Sequence, residues 1–318
     1  MAVDILQDII RKQKNPFVLE LALPLSKLPD GFTRDGQGYG AFCLELIRGL
    51  KGQVSALRVS FAAFALLGQD GMQSLSQVLQ KASKLGYYVL LDAPEIWSPA
   101  MAETVAECIL DPESKYPCDA LVICGYMGSD VIKPFLPYCT KGKKDLFVGV
   151  RTGNKSAPEI QDLLAGSRLV HMAAADHVNR YGSNSIGKFG YTQVGVMAGA
   201  SSAQGLQMIR QKYPNLFLLV DGLDYPNANA KNCSLAFDRF GHGAAICVGT
   251  AVTCAWKSEE GQSEDFLLHA IASLERQKKN ISRYVTILCG QAHENLWHDS
   301  MPGLCTDPER SGCKEHPL

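Results

Sequence analysis

Short apolar segments alternate with longer amphipathic segments along most of this chain. The apolar segments are nearly continuous rather than alternately polar, which is typical of parallel strands covered on both faces. They are Phe17–Leu23, Ala56–Phe64, Tyr87–Asp92, Ala120–Cys124, Leu146–Arg151, Gln193–Ala198, Leu216–Asp221 and Ala244–Val248. Between them, apolar residues recur every three or four positions, which predicts helices over Ser74–Leu85, Ala100–Ile109, Ser129–Tyr138, Ala157–Leu164, Ala203–Lys212 and Glu264–Gln277.

Eight strands in alternation with helices predict an α/β fold in which a parallel sheet closes on itself, a (β/α)₈ TIM barrel. A doubly wound open sheet is the alternative. No Gly-x-Gly-x-x-Gly motif opens a helix after the first strand, which argues against a dinucleotide-binding fold. The chain length of 318 residues suits one barrel with a short extension.

The domain prediction is a single barrel over residues 1–285, which begins with an amphipathic N-terminal helix, and an irregular tail over residues 286–318. The tail loses the helical and strand periodicity of the barrel. It contains Cys289, His293, His298, Cys305, Cys313 and His316. Their spacing forms no Cys-x-x-Cys or His-x₃-His pair, so an irregular tail is favoured over a zinc site. We predict no metal and no cofactor.

Composition and charge narrow the classes of partner. The formal net charge is −1 and the pI is near 6.6, so there is no general electrostatic case for nucleic acid or an anionic membrane as partner. The apolar runs are too short to span a bilayer, and the N-terminus lacks the apolar core of a signal peptide. Eleven irregularly spaced cysteines are more simply explained in a reducing cytosol. We therefore predict a cytoplasmic protein.

Three segments carry a resemblance to a known family. They read CDALVICGYMGSDVIKPFLPYC, KDLFVGVRTGNKSAPEIQDLL and TQVGVMAGASS, the last followed by RQKYPNLFLLVDGL. Their order and spacing resemble those of the bacterial class-2 orotidine 5′-phosphate decarboxylases over residues 15–255. The resemblance implies a (β/α)₈ barrel that dimerises across the carboxyl ends of its strands.

The same comparison shows departures from the family motif after the third strand. The family reads Asp-x-Lys-x-x-Asp there, whereas this chain keeps Asp92 but has Pro94 for the lysine and Trp97 for the second aspartate. The lysine that ends the second strand in the family corresponds to Arg58. The aspartate after the first strand corresponds to Ala22.

These replacements bear on the reaction that the family catalyses. Loss of CO₂ from the pyrimidine C6 leaves a carbanion, which the family stabilises and protonates with a lysine ammonium held between carboxylates. Proline offers neither charge nor proton. A guanidinium such as that of Arg58 barely releases a proton at neutral pH. Decarboxylation of orotidylate by the familiar route is therefore not expected.

Phosphate binding also departs from the family pattern. The loop after the seventh strand contains Asp221, Gly222 and Asp224 in place of the family's glycine-rich sequence, and Thr250 stands where the family has an arginine. Two carboxylates would repel a phosphate dianion at close range. Asp221 and Asp224 could together form a polar or divalent-metal site, and solvated loop carboxylates are the simpler interpretation.

The remaining candidates follow from position at strand ends. Asp92 and Arg58 are the candidate catalytic residues. The candidate ligand-binding residues are Thr152, Asn154, Gly199, Ser201, Asp221, Gly222 and Thr250. A structural network in which Arg58 and Arg151 pair with Asp92 and Asp221 is the alternative to an anion-binding role. For Trp97, filling the pocket is favoured over a stacking role.

Three functions stay open. The first is a decarboxylase-like barrel that has lost decarboxylation and has a binding or regulatory role, as a homodimer or a heterodimer with an active homologue. The second is an enzyme with altered chemistry on a small polar metabolite, using Asp92, Arg58, Asp221 and Asp224. The third is an active decarboxylase that makes UMP in pyrimidine biosynthesis. The predicted partner is a nucleotide or a small polar metabolite.

Overall fold

Eight parallel strands form a closed barrel, as the sequence predicts. They are β1 (Phe17–Leu21), β2 (Ala56–Ser60), β3 (Tyr88–Asp92), β4 (Ala120–Cys124), β5 (Asp145–Arg151), β6 (Val194–Gly199), β7 (Leu218–Asp221) and β8 (Ala244–Val248). Each strand pairs with the next along the chain, and β8 pairs with β1 to close the ring. The computed structural model describes residues 1–141, 143–257 and 263–289, so most of the predicted tail lies outside the described residues.

Helices surround the barrel and cover its lower end. They are α1 (Ala2–Gln13), α2 (Gly36–Gly49), α3 (Phe61–Ala65), α4 (Gly68–Lys84), α5 (Pro99–Leu110), α6 (Leu136–Thr140), α7 (Val170–Gly182), α8 (Ala203–Lys212), α9 (Ala230–Ser234), α10 (Thr250–Thr253) and α11 (Phe266–Ile281). None of the helices among the described residues has the length and apolar character of a membrane span.

Two of the predicted helices are wrong for an identifiable reason. The segment predicted over Ser129–Tyr138 forms two 3₁₀ turns and then α6, and it contains Pro134 and Pro137. The segment predicted over Ala157–Leu164 forms a 3₁₀ turn with Pro158 near its start, and the helix of this unit is α7 instead. Proline lacks the N–H that a helix interior needs, which shortens both segments.

The helix α2 has no counterpart in the sequence prediction. Its first turns contain Gly36, Gly38 and Gly40, and glycine lowers helix propensity. Side chains there are excluded by packing: a Cβ on Gly40 would lie 2.5 Å from Ser74 Oγ, and one on Gly36 would lie 2.4 Å from Gly71 N. The glycines therefore allow close approach of α2 to α4, which a periodicity argument cannot detect.

The second strand is shorter than predicted because a helix begins inside its apolar run. The Ser60 side chain accepts a hydrogen bond from Ala63 N at 3.3 Å, which caps the start of α3. The apolar residues of Phe61–Ala65 thus belong to a helix. An apolar run alone does not distinguish the two states.

The N-terminal helix α1 covers the lower end of the barrel, the end at which the strands begin. Its residues Ala2, Val3, Leu6 and Ile10 are buried against inward-facing strand residues. Those strand residues include Val18, Ala56, Leu90, Val122, Phe147, Phe217 and Leu219. The lower and middle layers of the barrel interior are therefore mostly apolar and filled. Asp145, at the start of β5, is a buried charge at the lower end, and it accepts a hydrogen bond from the Tyr88 hydroxyl at 2.6 Å.

Candidate functional site

Four charged side chains lie at inward-facing positions near the carboxyl ends of the strands. Side chains alternate across a strand, so the residue two positions after an inward apolar residue also faces inward. Glu20 follows Val18, Arg58 follows Ala56, Asp92 follows Leu90 and Asp221 follows Leu219 in this manner. Glu20 and Arg58 are also directly paired in register between β1 and β2. The upper layer of the barrel is therefore a charged layer above an apolar core.

Arg58 lies at the centre of this layer, and three carboxylates surround it. Its Nε is 2.8 Å from Asp92 Oδ1, and its Nη1 is 2.9 Å from Asp221 Oδ1. The same Nη1 is 3.3 Å from Glu20 Oε1. The predicted network between Arg58, Asp92 and Asp221 is therefore present, with Glu20 as a further member. We name the set Glu20, Arg58, Asp92 and Asp221 the mouth cluster.

The mouth cluster carries more negative than positive charge. The pKa of Glu20 is raised to about 7, mainly because the carboxyl group is buried. Arg58 lowers this pKa, whereas the nearby carboxylates of Asp221 and Asp92 raise it further. Burial also raises the pKa of Asp92, although Arg58 lowers it. A carboxyl group that changes protonation near neutral pH is suited to proton transfer.

The guanidinium of Arg58 is held in its charged form. Burial acts to lower its pKa, but the carboxylates of Asp92, Glu20 and Asp221 raise the pKa of Arg58 above its usual value. Only 7% of this residue is exposed. Arg58 therefore supplies a fixed positive charge and hydrogen-bond donors, and it is unsuited to donating a proton.

The loop of residues 222–229 folds back over the upper end of the barrel, which we call the mouth. The Asp224 carboxylate accepts hydrogen bonds from Gly249 N at 2.7 Å, Ala251 N at 2.5 Å and Thr250 Oγ1 at 3.1 Å. Asp221 is not the solvated loop carboxylate that the sequence favoured, because it is buried against Arg58. Asp224 is exposed, as expected, and it also binds the segment after β8. The Asp224 carboxylate thus occupies the N–H donors of Gly249 and Ala251.

Tyr225 places an aromatic ring in the same region. A Cβ on Gly153 would lie 2.4 Å from its Cδ2, and one on Gly222 would lie 3.1 Å from the same atom. Gly222 also has a φ of +54°, a left-handed conformation that glycine adopts without strain. The two glycines therefore admit the ring between the ends of β5 and β7.

A cavity of about 200 Å³ remains beside this ring. It is lined by Glu20, Ala22, Asp224, Tyr225, Gly249, Thr250 and Thr253. Of the candidate ligand-binding residues, Thr250 lines this cavity. Asp221 does not line it and lies beneath it in the mouth cluster. The mouth is partly filled and partly open, and its open part is acidic.

Other predicted ligand-binding residues lie outside this cavity. Thr152 Oγ1 is 2.5 Å from Asn154 Oδ1, and Thr152 N donates to Gln161 Oε1 at 2.7 Å. The polar groups of Thr152 and Asn154 are therefore hydrogen-bonded within the segment that follows β5. Gly199 lies against the backbone of Gly153, since a Cβ there would be 2.5 Å from Gly153 N. Ser201 is not among the residues that line the cavity.

Trp97 does not fill the pocket, so that expectation from sequence is wrong. Its side chain is 73% exposed, and its Nε1 donates to Glu95 Oε2 at 3.1 Å. Pro94 is partly exposed in the same segment between β3 and α5. The indole therefore points to the surface of the mouth, and the ring that occupies the interior comes from Tyr225.

Arg151 also differs from its predicted role. It pairs with Asp162 through two hydrogen bonds, Nε to Oδ1 at 3.0 Å and Nη2 to Oδ2 at 2.9 Å, rather than with the mouth cluster. The same aspartate lies 3.0 Å from His171 Nδ1. This two-point geometry holds the segment after β5 against α7.

Glu20 and Tyr225 belong to the site but were not among the residues predicted from sequence. A signal for Glu20 was present, since it is the one charged residue inside the apolar run of β1. No comparable signal marks Tyr225, whose place depends on the course of a loop. Among the described residues, no group of three or more His, Cys, Asp or Glu side chains is arranged to hold a metal ion.

Proteins similar to this chain in sequence include orotidine 5′-phosphate decarboxylases from two bacteria. The orotidine 5′-phosphate decarboxylase of Rhodopirellula baltica is 30% identical over 226 residues, which cover 70% of this chain and 75% of that protein. The enzyme of the same name from Clostridium perfringens is 27% identical over 230 residues, which cover 72% of this chain and 79% of its own. No family model matches the chain.

The fold has solved counterparts. The structure of Leishmania donovani OMP decarboxylase superposes with a TM-score of 0.69 at 22% identity, and the match covers 89% of this chain and 98% of that one. At this identity the superposition supports the fold alone. The sequence relationship to the Rhodopirellula protein extends over most of both chains, and on that ground this chain belongs to the orotidine 5′-phosphate decarboxylase family.

Proposed function

We propose that this chain keeps the barrel of the decarboxylase family but does not decarboxylate orotidine 5′-phosphate, and that its mouth has a binding or regulatory role. The observation that carries the proposal is that Arg58 is buried and paired with three carboxylates. Among the described residues it is the cation that pairs with the carboxylates of the mouth cluster. A buried guanidinium fixed by three carboxylates cannot deliver the proton that a carbanion at C6 requires.

The charges at the mouth favour binding of an uncharged ligand over binding of a nucleotide. A nucleotide phosphate would meet Asp224, which already occupies the N–H groups of Gly249 and Ala251. Glu20 lines the same cavity. Repulsion between these carboxylates and a phosphate dianion disfavours tight nucleotide binding. An uncharged polar molecule suits the cavity better than UMP does.

The test combines binding and turnover. Calorimetric and thermal-shift titrations would use UMP, 6-azaUMP and orotidylate, with uridine as the ligand that lacks the phosphate. A ligand that binds the native state raises the melting temperature with occupancy, so weak binding is detectable at millimolar ligand. We expect no turnover and no preference for UMP over uridine. The Rhodopirellula relative serves as the positive control.

Turnover of orotidylate that persists after removal of host enzyme would contradict the proposal and support an active decarboxylase that makes UMP. A clear shift with UMP but none with uridine, and no turnover, would instead indicate a nucleotide sensor. The two halves of the proposal are thus tested separately.

One observation favours a second candidate, an enzyme with altered chemistry on a small polar metabolite. Asp92, Arg58 and Asp221 converge below an open cavity, and burial brings the pKa of Glu20 to about 7. Such a group in a cleft marks a candidate for proton transfer. A turnover assay on non-phosphorylated polar substrates, with Glu20→Gln as the matched variant, distinguishes this candidate from a binding protein.

For partners, we propose a homodimer formed through the rim of the mouth, or a heterodimer with an active homologue through the same surface. Exposed large apolar side chains lie on the loops after β2, β3, β4 and β5, which are neighbours in the barrel. They are Leu66, Trp97, Met127, Ile160, Leu163 and Leu164. Apolar side chains grouped on one face support an interface there. We expect a cytoplasmic location.

A further inference from the structure

A second cavity lies on the flank of the barrel, outside the mouth. It is an open groove of about 520 Å³ between the loop of residues 222–229, α9 and the end of α11. Its volume lies within the range of about 300–1,000 Å³ that is usual for small-molecule sites. The polar side chains that line it are Asn229, Lys231, Gln277, Asn280 and Arg283. We call it the flank groove.

The flank groove is positively charged. Lys231 and Arg283 line it, and the residues that line it include no carboxylate. Within the described part of the chain, neither of these two cations takes part in an ion pair. The neighbouring Lys278 differs, since it is 2.9 Å from both Glu275 Oε1 and Gln53 Oε1. Two cations that have no ion-pair partner among the described residues therefore face one concave surface.

Amide and aromatic groups complete the lining. Gln277, Asn280 and Tyr284 recur at three- and four-residue spacing along the end of α11 and its continuation, so they share one side of the helix. Side-chain amides can donate to anionic oxygens, and a tyrosine ring offers an apolar face to the body of a ligand. Leu223 adds a further apolar contact.

We propose that the flank groove is a second binding site, for a small organic anion that carries at least two negative charges. Two cationic side chains match two anionic groups, and the amides match additional oxygen acceptors. The volume suits a small molecule rather than a macromolecular surface. This site is separate from the mouth and from the function proposed for it.

The loop of residues 222–229 lines both cavities. Leu223 and Asn229 lie in the flank groove, whereas Asp224 and Tyr225 line the mouth cavity. An anion bound beside Leu223 and Asn229 therefore contacts the same short segment that closes the mouth. We expect occupancy of the groove to slow amide hydrogen exchange across this loop.

Isothermal calorimetry with pyrophosphate and with citrate tests the proposal, at an ionic strength kept constant with KCl. The double variant Lys231→Gln/Arg283→Gln should weaken binding by about tenfold or more, because both charge-assisted contacts are lost. Lys279→Gln is the matched control, since Lys279 is an exposed cation on α11 that does not line the groove. It should change affinity by less than about twofold.

The substituted side chains are exposed, so we expect both variants to fold. Their melting curves check this. Binding of neither anion at millimolar concentration would overturn the proposal. Equal weakening in the double variant and in Lys279→Gln would overturn it too, since that result indicates attraction to net charge alone. Failure here leaves the assays of the mouth unaffected, because those use different ligands and residues.

Discussion

Arg58 shows how one residue organises the mouth. Its guanidinium satisfies Asp92 and Asp221 at 2.8 and 2.9 Å and lies near Glu20 at 3.3 Å. A buried ion pair adds little net stability against an apolar replacement of both partners, but removal of one partner is costly because the other charge stays buried. The residue is therefore structural for the barrel whatever ligand the mouth takes.

Replacement of Arg58 by methionine should lower the free energy of unfolding by about 3–5 kcal/mol at neutral pH, since three carboxylates lose their cation. Urea unfolding measures the change. Arg168→Met is the matched control: Arg168 is 57% exposed in its pair with Asp176, and such surface pairs contribute about 1 kcal/mol or less. Similar losses in the two variants would contradict a central role for Arg58.

The raised pKa of Glu20 makes a prediction about pH. Since burial brings its folded pKa to about 7, the folded protein keeps a proton there that the unfolded chain has lost. The free energy of unfolding should therefore fall as pH rises from about 4.5 to about 7, by about 2–3 kcal/mol from this group. Urea titrations across this range should show a smaller fall in Glu20→Gln.

In Glu20→Gln the free energy of unfolding should still fall somewhat as pH rises, because burial raises the pKa of Asp92 and of Asp145 as well. Glu103→Gln, at an exposed position on α5, should keep the full slope. A wild-type stability that is level or rises between these pH values would show that Glu20 stays ionised in the folded protein.

At the scale of elements, the ends of β5 and β6 approach more closely than side chains permit. A Cβ on Gly199 would lie 2.5 Å from both Gly153 Cα and Gly153 N, and backbone atoms cannot move aside as a flexible side chain can. This approach brings the turn after β5 under the ring of Tyr225. The shape of the mouth therefore depends on glycines in two neighbouring strand ends.

Gly199→Ala should lower the free energy of unfolding by about 2 kcal/mol or more, as overpacking against a backbone does. Gly149→Ala is the control within β5, because a Cβ there would lie 3.5 Å from its nearest neighbours, an ordinary contact. It should change stability by less than about 1 kcal/mol. Thermal or urea unfolding compares the pair. Equal tolerance of both substitutions would contradict the close approach of β5 and β6.

Local sequence predicted the strands better than the helices that link them. The bounds of β4 and β8 match the prediction, and the other six strands differ from it by a few residues at one or both ends. The errors fall where proline or glycine overrides apolar spacing, as in the segments after β4 and β5 and in α2. Such positions depend on backbone hydrogen bonds and on close packing, which periodicity does not report.

At the scale of the whole molecule, the rim of the mouth is the surface where we expect self-association. Its apolar residues Trp97 and Leu163 are 73% and 54% exposed. The double variant Trp97→Asp/Leu163→Asp should weaken a dimer by about tenfold or more, since two carboxylates would be buried at the interface. Sedimentation velocity over a range of concentrations measures the effect.

Ile5→Asp provides the matched control, because Ile5 is a 55% exposed apolar residue on α1 at the opposite end of the barrel. It should leave the association constant unchanged. A protein that is monomeric at every concentration, or a dimer that only Ile5→Asp weakens, would show that the rim is not the interface.

The barrel and the charged residues available at its mouth could be predicted from local sequence alone. Near-continuous apolar runs specify buried parallel strands, because a strand covered on both faces has no polar side. The charged residues Arg58, Asp92 and Asp221 stand out because they interrupt or end such runs. Their pairing could be predicted, since buried charges need partners.

Which of these groups contact one another depends on the three-dimensional packing of the chain. Arg58 and Asp221 are 163 positions apart and come together because β7 and β2 face the same barrel axis. Arg151 pairs locally with Asp162 instead, Trp97 turns to the surface, and Tyr225 takes the place at the mouth. Periodicity fixes the direction of a side chain relative to its own strand. The course of a loop and contacts across a barrel depend on the packing of the whole chain.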